Sequence, residues 1–241
     1  MPQPTLADPR VRAALARFRP DPSWKRHVAT PFVVLACRIL VQGLNRLEMS
    51  GRERFEHALA LDRPLLTFSN HTSLFDDPWL VATFSSWRWS RARWCATDAL
   101  NFFDDPLTAR FFSFGKGVPI VRGAGLDQPG MHFLVDRLRR GDWVHIFPEG
   151  GRSRTPGELA LPLKSGLAHL VRDTRPVLLP FHHRGMADIL PIGSHIPRVG
   201  KRVELVFGEA LDTAEGLADE PPDTITAWAT RQLVALQAEG R

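Results

Sequence analysis

Six short apolar runs, at residues 64–68, 94–97, 118–121, 143–147, 177–181 and 203–207, recur along the chain and are separated by stretches of helical periodicity. Helices are expected at 78–89, 105–113, 127–140, 163–174 and 223–238. Parallel strands need long crossover connections, usually helical, so this rhythm predicts α/β: a single domain with a mostly parallel central sheet flanked by helices. Residues 1–60 read as an N-terminal helical region ahead of the sheet, 61–210 as the core, and 211–241 as a connection, marked by Pro221 and Pro222, with a last helix. In open α/β sheets the ligand crevice lies beyond the carboxyl ends of the strands. The polar motifs of this chain fall at those ends.

With 241 residues, 44% apolar and 24% charged, the composition is that of one globular domain and excludes a fibrous or largely disordered chain. The net charge is +5, and only four of the 31 cations are lysines. Arginine suits a partner carrying phosphate, because the planar guanidinium grips oxygens in pairs. Cys37 and Cys95 lie in apolar surroundings without CxxC spacing, so neither a disulfide framework nor a zinc site is expected. The first residues, which include Asp8, lack the apolar run of a secretory signal, so a cytoplasm-facing protein is expected.

The most apolar stretch, 28–41, is interrupted by Thr30, Pro31 and Arg38 and falls short of the roughly 20 apolar residues a spanning helix needs. It reads instead as a helix with Thr30 as N-cap and Pro31 at its first position. Phe32, Leu35, Ala36, Ile39, Leu40, Gly43 and Leu47 share one face; Arg38, Gln42, Asn45 and Arg46 share the other. The apolar face suits either the protein core or a lipid interface. A second segment, SSWRWSRARW, sets Trp87, Trp89 and Trp94 among Arg88, Arg91 and Arg93, a mixture that fits lipid headgroups or a solvated connection. No recognition-helix, RRM, KH or zinc-finger pattern accompanies it, so nucleic acid is not the expected partner.

After the first expected strand comes Ser69-Asn70-His71-Thr72-Ser73-Leu74-Phe75-Asp76-Asp77-Pro78. Asp77-Pro78 has the form of an N-cap before a first-turn proline, and Ser73 and Asp76 have capping-box spacing. His71 then sits in the loop before the helix, where folding back could bring it to Asp76. One reading is an imidazole held in a single tautomer by a carboxylate and able to take a proton from a hydroxyl; the other is two capping aspartates and an ordinary loop histidine. GxSxG is absent and neither cysteine has a polar setting, so a His-Asp pair without its own nucleophile suits direct transfer to an acceptor hydroxyl. A metal site using His182 or His183 is disfavoured, since neighbours on a strand point to opposite faces. Two further loops carry glycine beside cations: Gly115-Lys116-Gly117 through Val121-Arg122-Gly123, and Pro148-Glu149-Gly150-Gly151-Arg152-Ser153-Arg154. Glycine lets a ligand approach the backbone and arginine can bond phosphate, although solvated Gly-Arg turns are also common.

Taken in order, these motifs resemble the glycerolipid acyltransferase family of the lysophosphatidic acid acyltransferase type. His71 and Asp76 match its H(X)4D motif, Gly117 to Arg122 its second block, Phe147-Pro148-Glu149-Gly150 with Arg152 and Ser153 its FPEGTRS block, and Val177-Leu178-Leu179-Pro180 its fourth. Gly151 stands where that block has threonine. The resemblance spans about residues 28–210. Details such as Asp76-Asp77-Pro78 and Gly185-Met186-Ala187-Asp188-Ile189-Leu190-Pro191 resemble the tafazzin subfamily of phospholipid–lysophospholipid transacylases. The resemblance implies the glycerolipid acyltransferase fold and a peripheral or monotopic membrane protein contacting lipid through Phe32, Leu35, Ile39, Trp87 and Trp89. It implies acyl transfer to a lysophospholipid hydroxyl, with His71 as base, Asp76 as its support, and Arg122, Gly117, Glu149, Gly150, Arg152 and Ser153 around the substrate, Glu149 ordering the phosphate pocket. Oxyanion donors are sought in backbone amides near Gly117 or Gly150. No metal or bound cofactor is required. A transacylase uses phospholipid and lysophospholipid alone, whereas a 1-acylglycerol-3-phosphate acyltransferase uses acyl-CoA as donor. A hydrolase and a noncatalytic lipid-binding protein are the rival classes.

Overall fold

All five residues of the strand Leu65–Ser69 are buried, as expected for a strand covered by helices on both faces of a parallel sheet. The computed structural model describes residues 4–20, 24–155, 158–194 and 196–239. In chain order the elements are α1 (Pro9–Ala16), α2 (Trp24–Arg38) running into a π-helical stretch (Ile39–Gly43), β1 (Arg46–Ser50), α3 (Arg52–Ala60) and β2 (Leu65–Ser69). A π-helical turn (Asp76–Val81) leads into α4 (Ala82–Phe84), then β3 (Trp94–Asp98), α5 (Ala99–Phe102), α6 (Pro106–Phe114), β4 (Gly117–Ile120), α7 (Pro129–Arg139) and β5 (Trp143–Ile146). The remainder is α8 (Gly166–Thr174), β6 (Val177–Arg184), α9 (Met186–Ile189), β7 (Arg202–Phe207), β8 (Leu211–Asp212) and α10 (Pro222–Glu239).

The sheet runs β1-β7-β6-β2-β5-β3-β4, with β8 beside β6. Every neighbouring pair is parallel except β6 with β7 and with β8. Period-two alternation divides the core into two layers. Leu66, Phe68, Val144, Ile146 and Leu178 pack with Leu134, Leu138, Leu167 and Leu233 of α7, α8 and α10. Leu65, Trp143, Val177, Leu179 and Phe181 face the other way, against Phe55 of α3, Val41, Val81 and Phe84. Gly130 lets α7 close on β4: a Cβ there would stand 2.1 Å from the Pro119 carbonyl oxygen.

Four expectations are corrected. Residues 1–60 are not wholly helical before the sheet, because β1 lies among them and pairs with β7 in parallel. Thr30 does not cap a helix that starts at Pro31: α2 already begins at Trp24, with Pro31 inside it. Asp77 is not an N-cap, since the turn starts at Asp76 and the Asp77 carboxylate instead accepts from Arg93, Nε to Oδ1 at 2.7 Å. The helix expected over 78–89 is broken into that turn and α4, and the Trp/Arg segment folds inward. Trp89 is 6% exposed and its Nε1 donates to the Phe114 carbonyl at 2.9 Å. The Lys116 ammonium donates to the Ala92 carbonyl at 2.7 Å and lies 4.4 Å and 4.8 Å from the ring centres of Trp89 and Trp94. Trp89, Trp94 and Arg93 are therefore core residues, whereas Trp87 and Arg88 remain exposed.

The central strands also bury three histidines, His145, His182 and His183, and burial pushes His145 and His182 down from 6.5 to about 3. The unfolded chain takes up protons on these rings as pH falls through 6.5, while the folded chain resists until about 3. Their contribution to stability is thus complete above the unfolded value and declines across that window. Thermal denaturation followed by circular dichroism should show a Tm that falls steadily from pH 7 to pH 4, with a shallower slope in His145→Gln. A Tm independent of pH over this range would contradict the assignment.

Candidate active site

The strands β2, β5, β3 and β4 are adjacent and parallel, so their carboxyl ends open on one edge of the sheet. This register brings the sequence motifs together. The loop after β2 carries His71, the loop after β5 carries Phe147 to Ser153, β3 ends at Asp98, and the chain leaving β4 carries Arg122. They surround a cavity of about 720 Å³. His71, Asp98, Arg122, Gly150, Gly151 and Lys164 line its polar part, and Ile120, Leu126, Met131, Ile146, Leu167 and Leu170 its apolar part.

The loop from His71 to Asp76 folds back as its spacing allowed. Asp76 is 1% exposed, and its Oδ2 accepts from His71 Nδ1 at 3.0 Å, Thr72 N at 2.6 Å and Ser73 N at 2.8 Å. The Ser73 contact is one half of a capping box. The other half is missing, because the Asp76 N–H donates to the Ser73 carbonyl at 3.3 Å, while Ser73 Oγ donates to the Leu190 carbonyl at 3.0 Å. Burial alone would raise the Asp76 carboxyl, but the facing His183 and His71 rings and the Ser73 amide outweigh it and hold it below the usual carboxylate range. An ionised Asp76 can only accept, so His71 donates from Nδ1, and in the neutral ring Nε2 is the nitrogen that bears the lone pair. The ring is stacked 4.1 Å from Phe147. That contact fixes the ring plane.

Glu149 has a different task from the one expected. Its Oε1 accepts from the His71 backbone N–H at 2.6 Å and its Oε2 from Ala160 N–H at 2.5 Å. Burial pushes its carboxyl up, against the pull of those two amides. It braces the loop that bears His71 and does not hold Arg122. Arg122 is held instead by Asp98, Nε to Oδ2 at 2.8 Å, and remains half exposed at the cavity.

Ser153 is buried, and its N–H donates to the His71 carbonyl at 2.7 Å, a second tie between the β5 and β2 loops. Gly150 lines the cavity at φ +71° with its N–H directed to the Phe147 carbonyl at 3.1 Å, so that amide is already engaged. Gly117 lies inside β4, outside the cavity lining, where a Cβ would come within 2.9 Å of Thr97 Oγ1; its lack of a side chain serves packing. Arg152 is exposed and also stands outside the lining. Phe32 and Leu35 on α2 are 69% and 47% exposed, Ile39 at the start of the π-helical stretch that continues it is 50% exposed, Trp87 is exposed, and Trp89 is not. Asp98, Lys164 and the bracing partner His183 were missed as site residues. Asp98 could have been found, because it occupies the carboxyl end of a strand in the same way as the motifs that were recognised. Among the described residues no group of three or more His, Cys, Asp or Glu side chains is placed to hold a metal ion, and no helix is long and apolar enough to cross a membrane.

The sequence matches the Acyltransferase family over residues 46–197. It is 32% identical over 232 residues to tafazzin of Drosophila melanogaster, covering 89% of this chain and 60% of that protein. It is 32% identical over 206 residues to taffazin of Dictyostelium discoideum, covering 80% and 71%. It is 33% identical over 160 residues to N-acylphosphatidylethanolamine synthase of Arabidopsis thaliana, covering 62% and 56%. The chain thus spans little more than half the length of two of these relatives. Its fold is similar to that of the 1-acyl-sn-glycerophosphate acyltransferase PlsC from Thermotoga maritima, with a TM-score of 0.66 at 20% identity over 92% of this chain and 86% of that one. The paired His71 and Asp76, set at the edge of a mostly parallel sheet with the Phe147–Gly150 loop beside them, are carried by a chain that belongs to the Acyltransferase family and counts the tafazzins among its relatives.

Proposed function

We propose that the protein transfers a fatty acyl chain from a phospholipid to the free hydroxyl of a lysophospholipid, as a tafazzin-like transacylase. The observation that carries this reading is His71 itself, its Nδ1 3.0 Å from the buried Asp76 carboxylate, at the lip of a cavity with a cationic polar part and an apolar remainder. Among the described residues no serine or cysteine is hydrogen-bonded to the His71 ring. Cys95 lines the cavity, but burial pushes its thiol well up, so it supplies no thiolate. The acceptor hydroxyl is therefore the nucleophile. His71 Nε2 takes its proton as the oxygen attacks the donor's ester carbonyl. The tetrahedral intermediate then collapses, the donor's glycerol oxygen leaves, and the same proton passes to it from Nε2. The new ester and a new lysophospholipid are the products, and no water, metal or cofactor is consumed. Arg122, and Arg152 where a headgroup reaches that far, bind phosphate. The apolar part of the cavity holds an acyl chain.

The apolar face of α2 supplies the lipid contact in this reading. Trp24, Val28, Phe32, Leu35 and Ile39 are all exposed, whereas Val34 and Cys37 on the opposite side are buried. An exposed aliphatic stripe on a cationic protein suits the interface of an anionic bilayer, and the protein is assigned to the cytoplasmic side as a peripheral or monotopic component.

Purified protein incubated with liposomes carrying a labelled phospholipid and a lysophospholipid should transfer label without acyl-CoA. His71→Ala should lower the rate by about 10²-fold or more. Transfer only with acyl-CoA would assign the protein to 1-acylglycerol-3-phosphate acylation. Release of free fatty acid would make it a hydrolase, and lipid binding without turnover a binding protein. In a separate liposome sedimentation experiment, Phe32→Asp/Leu35→Asp should reduce binding to anionic vesicles while lowering Tm by no more than about 4 °C, since exposed substitutions rarely cost more than about 0.5 kcal/mol each. Undiminished binding would remove α2 from the lipid contact.

A further inference from the structure

Behind Asp76 lies a second histidine. His183, on β6, has a fully buried side chain, and its Nε2 is 3.0 Å from the Asn70 carbonyl oxygen and 3.5 Å from Asp76 Oδ2. Its backbone is locked to the same loop: His183 N–H donates to Asn70 Oδ1 and Asn70 Nδ2 donates to the His183 carbonyl, both at 2.9 Å. A carbonyl and an ionised carboxylate accept only. The Nε2 facing both of them must therefore carry a proton. Nδ1 of the same ring meets no partner among the described residues, so nothing there competes for that proton.

We infer that His183 is a positioning residue for acyl transfer: its neutral Nε2–H is shared between the Asn70 carbonyl and Asp76, fixes the loop that carries His71, and draws off part of the carboxylate charge that His71 Nδ1–H would otherwise meet alone. The inference rests on the assignment of His71 as the base. Burial lowers the His183 imidazolium pKa, against the opposing pull of Asp76 and Asn70, in keeping with a neutral ring. The other groups facing this centre are Glu149, whose carboxylate is bound to the His71 backbone N–H, His145 on β5, held neutral by burial, and the Asp77–Arg93 pair. Asp76 is thus the anion that His71 Nδ1 meets directly, and His183 is a donor that moderates it.

Three consequences separate this role from simple packing. Replacement by leucine keeps the bulk and removes the donor, so His183→Leu should lower kcat by roughly ten- to a hundredfold with little change in KM, the loss expected for one hydrogen bond to a charged group. The acid limb of its kcat/KM profile should shift to higher pH, because an unmoderated Asp76 favours the His71 imidazolium. His183→Gln, whose side-chain amide can donate from nearly the same place, should recover most of the lost kcat, whereas the shorter His183→Asn should not.

Wild-type and His71→Ala proteins are assayed in parallel. Absence of transfer by the wild type defeats the functional reading itself, while a wild type that transfers and a His183→Leu protein with unchanged kcat and pH profile defeats only the role of His183. If the leucine variant does not fold, long-range proton–nitrogen correlation spectra of the wild-type imidazoles decide: His183 should show the Nε2–H tautomer, and the Nδ1–H tautomer overturns the inference.

Discussion

A buried carboxylate in want of donors organises this molecule's functional edge. Asp76 lies almost wholly inside the protein, where an ionised group is tolerated only if it is hydrogen-bonded, and its donors all gather on Oδ2 while the equally buried Oδ1 has no hydrogen-bond partner among the described residues. Its Oδ2 collects His71 Nδ1, two consecutive backbone amides and, at longer range, His183. Each donor constrains a different part of the structure. The amides of Thr72 and Ser73 force the loop back over the start of the helical turn, and the imidazole contact sets the tautomer. Loss of the carboxylate charge would leave four donors facing one weak acceptor, so the loop conformation and the orientation of the His71 ring share a single cause.

The parallel sheet then explains why distant motifs share one site. Because β2, β5, β3 and β4 run the same way in adjacent positions, chain segments as much as 78 residues apart emerge side by side. The ties between them are mostly from side chain or backbone to backbone: Glu149 to His71 N–H and Ser153 N–H to the His71 carbonyl. Such contacts hold position without depending on long, freely rotating side chains. Arg122 differs. It has one carboxylate partner, Asp98, and half its side chain is open to solvent, which leaves donors of its planar guanidinium to meet an incoming anion.

Much of the fold was legible because the inner strands are continuous runs of buried residues. β1, with the sequence RLEMS, was not, since an edge strand of mixed exposure carries no apolar run and its place is set by pairing with β7. The Trp/Arg segment was misread for the opposite reason. Arg93, Trp89 and Trp94 have surface-like chemistry, but in the interior Asp77 binds Arg93, the Phe114 carbonyl accepts from Trp89, and the Lys116 ammonium lies over both indole rings. His71 and Asp76 were legible from spacing and family likeness. Glu149 was recognised as a residue but not for its role, because its partners are backbone amides that no side-chain pattern reveals. His183 reaches Asp76 only through the pairing of β6 with β2, a long-range register absent from any local motif.

The apolar face of α2 and the catalytic loop are mechanically close. On its inner side α2 places Val34 and Cys37 against Trp79 and Ala82, and Cys37 Sγ lies 3.4 Å from the Pro78 carbonyl. Arg38 reaches the Ser85 carbonyl at 3.1 Å. Those contacts fall on the π-helical turn that begins with Asp76 and on the residues directly after it. The same turn faces the cavity, since Asp77 and Pro78 line it with Leu74 and His71. A bilayer touching Phe32 and Leu35 would therefore stand one helix thickness from the turn that anchors the base. In this arrangement α2 and the turn that begins with Asp76 share one packing interface, so the placement of the exposed apolar face and the ordering of the His71 loop depend on the same few residues.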